Sequence, residues 1–365
     1  MRFLKTGEGW PYLLVPFLPI AIVLDLAGAS AVAIFFTSAL GVVPTAALMG
    51  RATEELSARS GPGIGGLLNV TFGNAPELII ALFALGKGLH EVVKASLVGS
   101  ILGNVLLVMG GAMLVGGLGR ERQRFDRTAA GVQSSMLLLA AAAIAMPAIF
   151  ELVEGRGLPV PGAERIHYDA TVHGLSFAIA GVLILCYGAG LMFSLRSHRG
   201  LFNPPAEKDE VTPWSTRRSV LALALGGVAV GGMSEILVGS ISDAAKSIGL
   251  SEFFIGAVVV AIVGNAAEHW VAVLVARKDQ MNLAVNIAIG SSAQIALFVV
   301  PVLVLFSAAL GPFPMPLVLN GFELGGILLA VLIANHVTHE GESTWFEGVI
   351  LLAVYAVLVI AFGLA

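Results

Sequence analysis

The sequence predicts an all-α polytopic membrane protein with eleven transmembrane helices. Three observations carry that prediction. Of 365 residues, 57% are hydrophobic and only 12% charged, where soluble domains carry about 25% charge. Eleven stretches are apolar enough to cross ~30 Å of hydrocarbon, which takes ~20 helical residues. Lys and Arg concentrate between alternate stretches. Backbone polar groups have no water to bind inside a bilayer, so each span closes its own hydrogen bonds as a helix. The composition excludes a soluble enzyme and a disordered chain. A net charge of −4 leaves no basic footprint for nucleic acid. The single cysteine, Cys186, excludes a disulfide framework or multi-cysteine metal cluster and reads as a small core residue.

In chain order the stretches are 12–27, 29–50, 63–87, 92–118, 128–150, 170–195, 218–239, 252–276, 281–309, 314–336 and 345–364. The first is short and abuts the second, so one long kinked span is the alternative there. Apolar sequence resumes directly after it without a small-residue cleavage site, unlike a secretory signal. The longest hydrophilic segment, 196–217, carries Asn203-Pro204-Pro205 and mixed charges from Glu207 to Glu210. It reads as a linker between two halves.

Fifteen of the 20 Lys and Arg lie on one side of this alternation. They include Arg2 and Lys5, Arg51 and Arg59, the run Arg120 to Arg127, the linker residues, and Arg277 with Lys278. The positive-inside rule puts that side, and the N-terminus, in the cytoplasm and the C-terminus outside.

The chain also repeats itself. Gly73-Asn74-Ala75-Pro76-Glu77 returns as Gly264-Asn265-Ala266-Ala267-Glu268. The same offset of 191 matches Lys87 to Lys278, Gly99 to Gly290 and Ser100 to Ser291. The motifs fall on the third and eighth spans, so the copies cross in opposite directions. An inverted repeat points to a secondary transporter with its site near the midplane. On this reading 1–365 is one transporter domain: a leading helix (12–27), a first repeat (29–195), a cytoplasmic linker (196–217) and a second repeat (218–364).

Glu77 and Glu268 sit inside apolar spans, where a carboxylate costs at least ~2.5–3.5 kcal/mol and normally marks an ion pathway. A protonated Glu bonded between helices is the structural alternative, weakened by the mirrored pair. Asn74 and Glu77 share a helix face, as do Asn265 and Glu268. Ser100 and Asn104 lie four apart, Ser291 and Gln294 three apart. Pro76 lacks an N–H and frees a carbonyl. Carboxylates, amide oxygens, hydroxyls and carbonyls suit a hard cation, and a flexible set of ~6–8 such ligands favours Ca²⁺. His269 reads equally as a pH-sensitive neighbour or a packed polar residue. His336 and His339, with Glu340, read as an exposed last loop, since the chain has no His-Glu-x-x-His helix for zinc.

At these residues the sequence resembles the calcium/proton exchanger family of the cation/Ca²⁺ exchanger superfamily. GNAPELIIALFALGKG followed by ASLVGSILGN is similar to that family's first repeat motif, and GNAAEHWVAVLVARKDQMNLAVNIAIGSSAQIALF to its second. ATEELSARSG, SEILVGSI and TWFEG extend the resemblance over most of the chain. It implies one leading helix plus two inverted five-helix repeats. It implies Ca²⁺ export or sequestration driven by a proton gradient, with Glu77 and Glu268 as shared Ca²⁺/H⁺ ligands; the compact chain fits a prokaryotic plasma membrane. Glu235 and Glu54 or Glu55 match acidic positions lining the family's access paths. Two departures stand out. The acidic segment between the halves is reduced to Glu207–Glu210, and Gln294-Ile295 stands where sodium-coupled relatives carry an extra Asp, against sodium coupling.

The expected mechanism rests on charge. Two ionised glutamates in one poorly solvated pocket repel, and either one Ca²⁺ or about two protons neutralise them as a coupled unit. The empty, doubly charged pocket is costly to occlude, so exchange is obligatory. No resident cofactor is expected, Ca²⁺ being cargo; the partners are Ca²⁺, H⁺ and lipid, with self-association open. A sodium- or potassium-coupled exchanger is the closest alternative. A channel, or a metalloenzyme using His269, His336 and His339, fits the mirrored carboxylates less well.

Overall fold

Local sequence rules set most helix boundaries in the computed structural model, which describes residues 9–60, 65, 68, 71–163, 165, 167–193 and 214–365. After a 3₁₀ turn at Trp10–Leu14 come α1 (Phe17–Leu26), α2 (Ala31–Arg59), α3 (Ala75–Gly86) and α4 (His90–Gly117). These are followed by α5 (Arg127–Val153), α6 (Ala170–Met192), α7 (Thr216–Ile248) and α8 (Glu252–Arg277). The last three are α9 (Met281–Phe306), α10 (Gly321–Glu340) and α11 (Trp345–Gly363). Among the described residues nine are long and apolar enough to cross a membrane; α1 and α3 are shorter.

Caps account for the sharp starts. Side chains of Ser30, Asp126, Ser215 and Ser251 accept from the first turns of α2, α5, α7 and α8. Asn320 with Glu323, and Thr344 with Glu347, close reciprocal capping boxes on α10 and α11, each satisfying two otherwise orphaned donors. Gly249 and Gly341 end α7 and α10 at φ 73° and 74°, a left-handed conformation that costs glycine least.

Several expected boundaries change. The stretch beginning at 314 becomes helical only at Gly321, and residues 315–320 are buried without regular secondary structure. Pro312, Pro314 and Pro316 supply no N–H and fix φ, which defeats a helix despite the apolar composition. Lys94 Nζ donates to the Val318 carbonyl (3.2 Å), and Ser176 Oγ accepts from Leu317 N (3.0 Å). α2 and α7 run well past residues 50 and 239, so Glu54 and Glu55 lie in the last turns of α2. The linker apart from 214–217, its charges Glu207–Glu210, most of 63–70, and Arg2 and Lys5 fall outside the described residues.

The inter-helix segments gather at two ends. At one, Gln123 and Arg124 pair antiparallel with Ser343 and Glu342, while Gln123 Nε2 reaches the Ala276 carbonyl (3.1 Å) and Arg120 meets Asp279 (3.4 Å). At the other, Glu91 accepts from Gly162 N (2.7 Å). There the fully buried Glu151 carboxylate is held by Arg156 (3.4 Å) and Arg165.

α2 and α7 pack along each other, with α1 against α2. A reciprocal seam joins the pair: the Met233 side chain fills the notch at Gly41, and Met49 fills the one at Gly226. α3, α4, α8 and α9 pack against one another, and α4 approaches α8 so closely at Gly99 that only hydrogen fits against the Ala257 backbone. α4, α8 and α9 also carry π-helical turns, at Gly103–Val108, Ile255–Val260, Asn286–Gly290 and Ile295–Val299, features that often accompany functional sites.

Candidate functional site

The two matching motifs fold differently, and one residue explains why. Residues 71 and 72 are helical, Gly73 and Asn74 form a turn, and α3 restarts at Ala75. Pro76 has no N–H for the Phe72 carbonyl four residues earlier, and its ring clashes there. In the second copy that place is Ala267, and α8 runs unbroken through Gly264 and Asn265. The expected continuous span is therefore interrupted at the motif itself.

The break makes Asn74 the N-cap of α3 and puts Glu77 in its first turn, where the helix dipole favours an anion. Asn-x-x-Glu is also a capping-box spacing, yet Asn74 makes no cap bond. Its Nδ2 donates instead to Gln294 Oε1 on α9 (2.8 Å), leaving Oδ1 buried without a partner. In the second motif Asn265 Nδ2 donates to Ser100 Oγ on α4 (3.1 Å) and to the Ala261 carbonyl (3.0 Å). Because a carbonyl only accepts, the second bond fixes the amide orientation. Asn265 Oδ1 is again buried and unpartnered.

Glu77 is buried, and its Oε2 has no partner. Its side chain packs on the second motif's glycine: a Cβ at Gly264 would lie 3.5 Å from Glu77 Cγ and 3.9 Å from Oε1. Glu268, half-buried, accepts from Ser291 Oγ (3.3 Å). Glu77 and Glu268 lie within range of each other's charge, and Glu54 within range of Glu268. Thus Glu77, Asn74 and Asn265 together present three buried oxygens with no donor among the described residues. An unsatisfied buried acceptor costs roughly 1–3 kcal/mol, a cost that a bound cation removes.

The profile of the sodium/calcium exchanger protein family matches residues 30–196 and 218–364. The chain belongs to that family. It is 42% identical to a Ca²⁺/H⁺ antiporter of Synechocystis, over 96% of this chain and 95% of the relative. It is also 42% identical to the Ca²⁺/H⁺ antiporter ChaA of Bacillus subtilis, over 95% and 96%. The solved structure of native YfkE superposes with a TM-score of 0.83 at 39% identity, covering 97% of this chain and all of that one. The calcium/proton exchanger membership implied by the motifs therefore holds, and with it a multi-pass membrane transporter rather than an enzyme.

The family's remaining candidate residues fall in different places. His269 Nε2 lies 3.1 Å from Asn104 Oδ1, and since an amide oxygen only accepts, the ring donates from Nε2. Asn104 thus partners His269, with its own Nδ2 left unpartnered. Glu235 is exposed midway along α7, and Glu54 is exposed near the end of α2. Glu55 Oε2 accepts from Trp214 N (2.9 Å), tying α2 to the chain entering α7. Arg51 and Arg218 cover the Trp214 ring at 5.1 and 4.3 Å. Neither that knot nor the pairing of Trp10 with Trp270, two residues beyond Glu268 (6.0 Å), was foreseen from the sequence. Both depend on contacts between distant segments that carry no motif.

Two expectations are corrected. His336 and His339 lie in the last turns of α10, because the helix continues until Gly341 stops it; His339 meets Arg127 (3.3 Å). Cys186 is exposed, because α6 packs on the bundle by a narrow face and turns this residue away from it.

Proposed function

We propose that this protein is a secondary antiporter that exchanges Ca²⁺ for H⁺ by alternating access. Glu77 and Glu268 act as ligands shared between the metal and protons. Asn74, Asn265, Ser100, Ser291 and Gln294 complete the oxygen set, while Asn104 orients His269 beside it. The observation that carries this reading is the trio of donorless buried oxygens on Glu77, Asn74 and Asn265, contributed by two mirrored motifs. The relatives named Ca²⁺/H⁺ antiporters, alike over nearly the whole chain, support the choice of ions.

In this reading eleven helices cross the membrane as α1 plus two inverted five-helix repeats, α2–α6 and α7–α11. The end carrying Arg120, Arg277 and the 123–343 pairing faces the cytoplasm of a prokaryotic cell, by the positive-inside rule. The pocket closes over Ca²⁺ or over protons, because two bare carboxylates in a desolvated site repel and bind poorly to any occluded state. The α2–α7 pair, joined by its methionine–glycine seam, moves against α3, α4, α8 and α9. Glu54 and Glu235 line the two approaches.

The test is Ca²⁺ uptake into proteoliposomes under imposed pH and Na⁺ gradients. The wild type responds to the pH gradient, and Glu77→Gln and Glu268→Gln each abolish the response. Flux that follows the Na⁺ gradient at clamped pH would instead establish sodium coupling.

A further inference from the structure

We infer that Lys87 is a tethered cation in the groove between α3 and α7, set there to weaken Ca²⁺ binding on that approach and hasten its departure. The inference rests on the antiporter reading for the identity of the cargo, and on geometry for the rest. Lys87 is the C-cap of α3. Its Nζ lies 2.9 Å from where a Cβ at Gly239 would stand, and no other atom comes within 4 Å of that point. Gly239 therefore leaves a notch on α7 that an ammonium occupies.

The notch lies between two carboxylates. Glu235, Gly239 and Asp243 are spaced by four, so they share one face of α7, and all three are exposed. Two turns before the notch, the ring of Phe83 packs on Gly231 (3.7 Å). α3 thus runs alongside the α7 face bearing Glu235, with Phe83 on one side of that carboxylate and Lys87 on the other. Further down α3 stands Glu77. Among the described residues Lys87, Glu235 and Asp243 make no ion pair. The ammonium is poised between two acids rather than committed to either.

Exposed carboxylates inside a membrane helix mark water-filled ion paths, and here the path holds a resident positive charge. A Ca²⁺ ion at Glu235 would sit about 6 Å from that charge, given the spacing of four. Two positive charges against one at that distance in water reduce affinity about tenfold.

The experiment measures ⁴⁵Ca²⁺/Ca²⁺ exchange at equal pH on both sides, in right-side-out and in everted membrane vesicles. This mode needs no proton coupling, so it reads Lys87 even if the wild type proves indifferent to a pH gradient, which would overturn the antiporter reading alone. Lys87→Gln is expected to lower the half-saturating Ca²⁺ about tenfold at the face on which α3 ends and to leave the other face unchanged. Lys87→Arg and Gly239→Ala both keep a positive charge in the groove and are expected to leave the wild-type values unchanged at both faces. Equal values for wild type and Lys87→Gln at that face, or equal shifts at both faces, would overturn the proposal.

Discussion

Gly99→Ala places one methyl group where two helices already touch. Its Cβ would lie 2.6 Å from the carbonyl carbon of Ala257 and 2.8 Å from its Cα. Both neighbours are backbone, so no side chain can yield. The Ala257 carbonyl oxygen lies nearer still, so restoring ordinary contact requires α4 and α8 to part by well over ~1 Å. The adjacent bond from Asn265 Nδ2 to Ser100 Oγ, now 3.1 Å, would stretch to ~4 Å or more, beyond hydrogen-bond reach. Overpacking of this kind costs about 1–3 kcal/mol, and it carries the Asn265 amide, still held by the Ala261 carbonyl, away from the α4 side of the site. Thermal unfolding in detergent and ⁴⁵Ca²⁺ uptake in proteoliposomes read the two consequences separately. The variant is expected to unfold several degrees lower and to bind Ca²⁺ several-fold more weakly. Gly111→Ala is the control on the same pair of helices, since its Cβ meets Val273 at 3.5 Å and should be neutral. Wild-type unfolding and affinity in Gly99→Ala would refute the argument that α4–α8 proximity builds the site.

Other outcomes follow from separate features. Pro76→Ala supplies an N–H for the Phe72 carbonyl and lets the interrupted helix close; weaker Ca²⁺ uptake with unchanged or higher thermal stability is expected. Asn320→Ala removes the side-chain half of a capping box, leaving the backbone N–H at 320 bonded to Glu323, and should cost about 1 kcal/mol, lowering the unfolding temperature while leaving the half-saturating Ca²⁺ intact. Arg165→Ala leaves the buried Glu151 carboxylate to Arg156 alone, a loss of about 1–3 kcal/mol. Adding Glu151→Gln should recover part of it in the same unfolding assay.

Much of the architecture was legible because hydropathy reports transfer to lipid directly. Helices α4, α5, α8 and α11 begin and end within a few residues of their apolar stretches. The motif pair was legible as a candidate, since carboxylates deep in apolar spans carry a cost that normally marks an ion pathway. What escaped was set by individual backbone atoms. Residues 314–320 are as apolar as a helix, but alternating prolines keep them out of one. The first motif reads like the second, yet Pro76 in place of Ala267 interrupts it. Neighbours across the fold were also hidden. Gln294 holding Asn74, Ser100 holding Asn265, and Gly264 receiving Glu77 join residues from different helices, and spacing along one helix contains no information about them.

The interruption at Gly73–Asn74 has no counterpart at Gly264–Asn265, so exchanging the two halves of the molecule does not reproduce the same object. A carrier with identical halves would rest with equal ease toward either compartment. Here one arm bends where the other runs straight, so under the proposed alternating access the two resting postures are not made equivalent by symmetry.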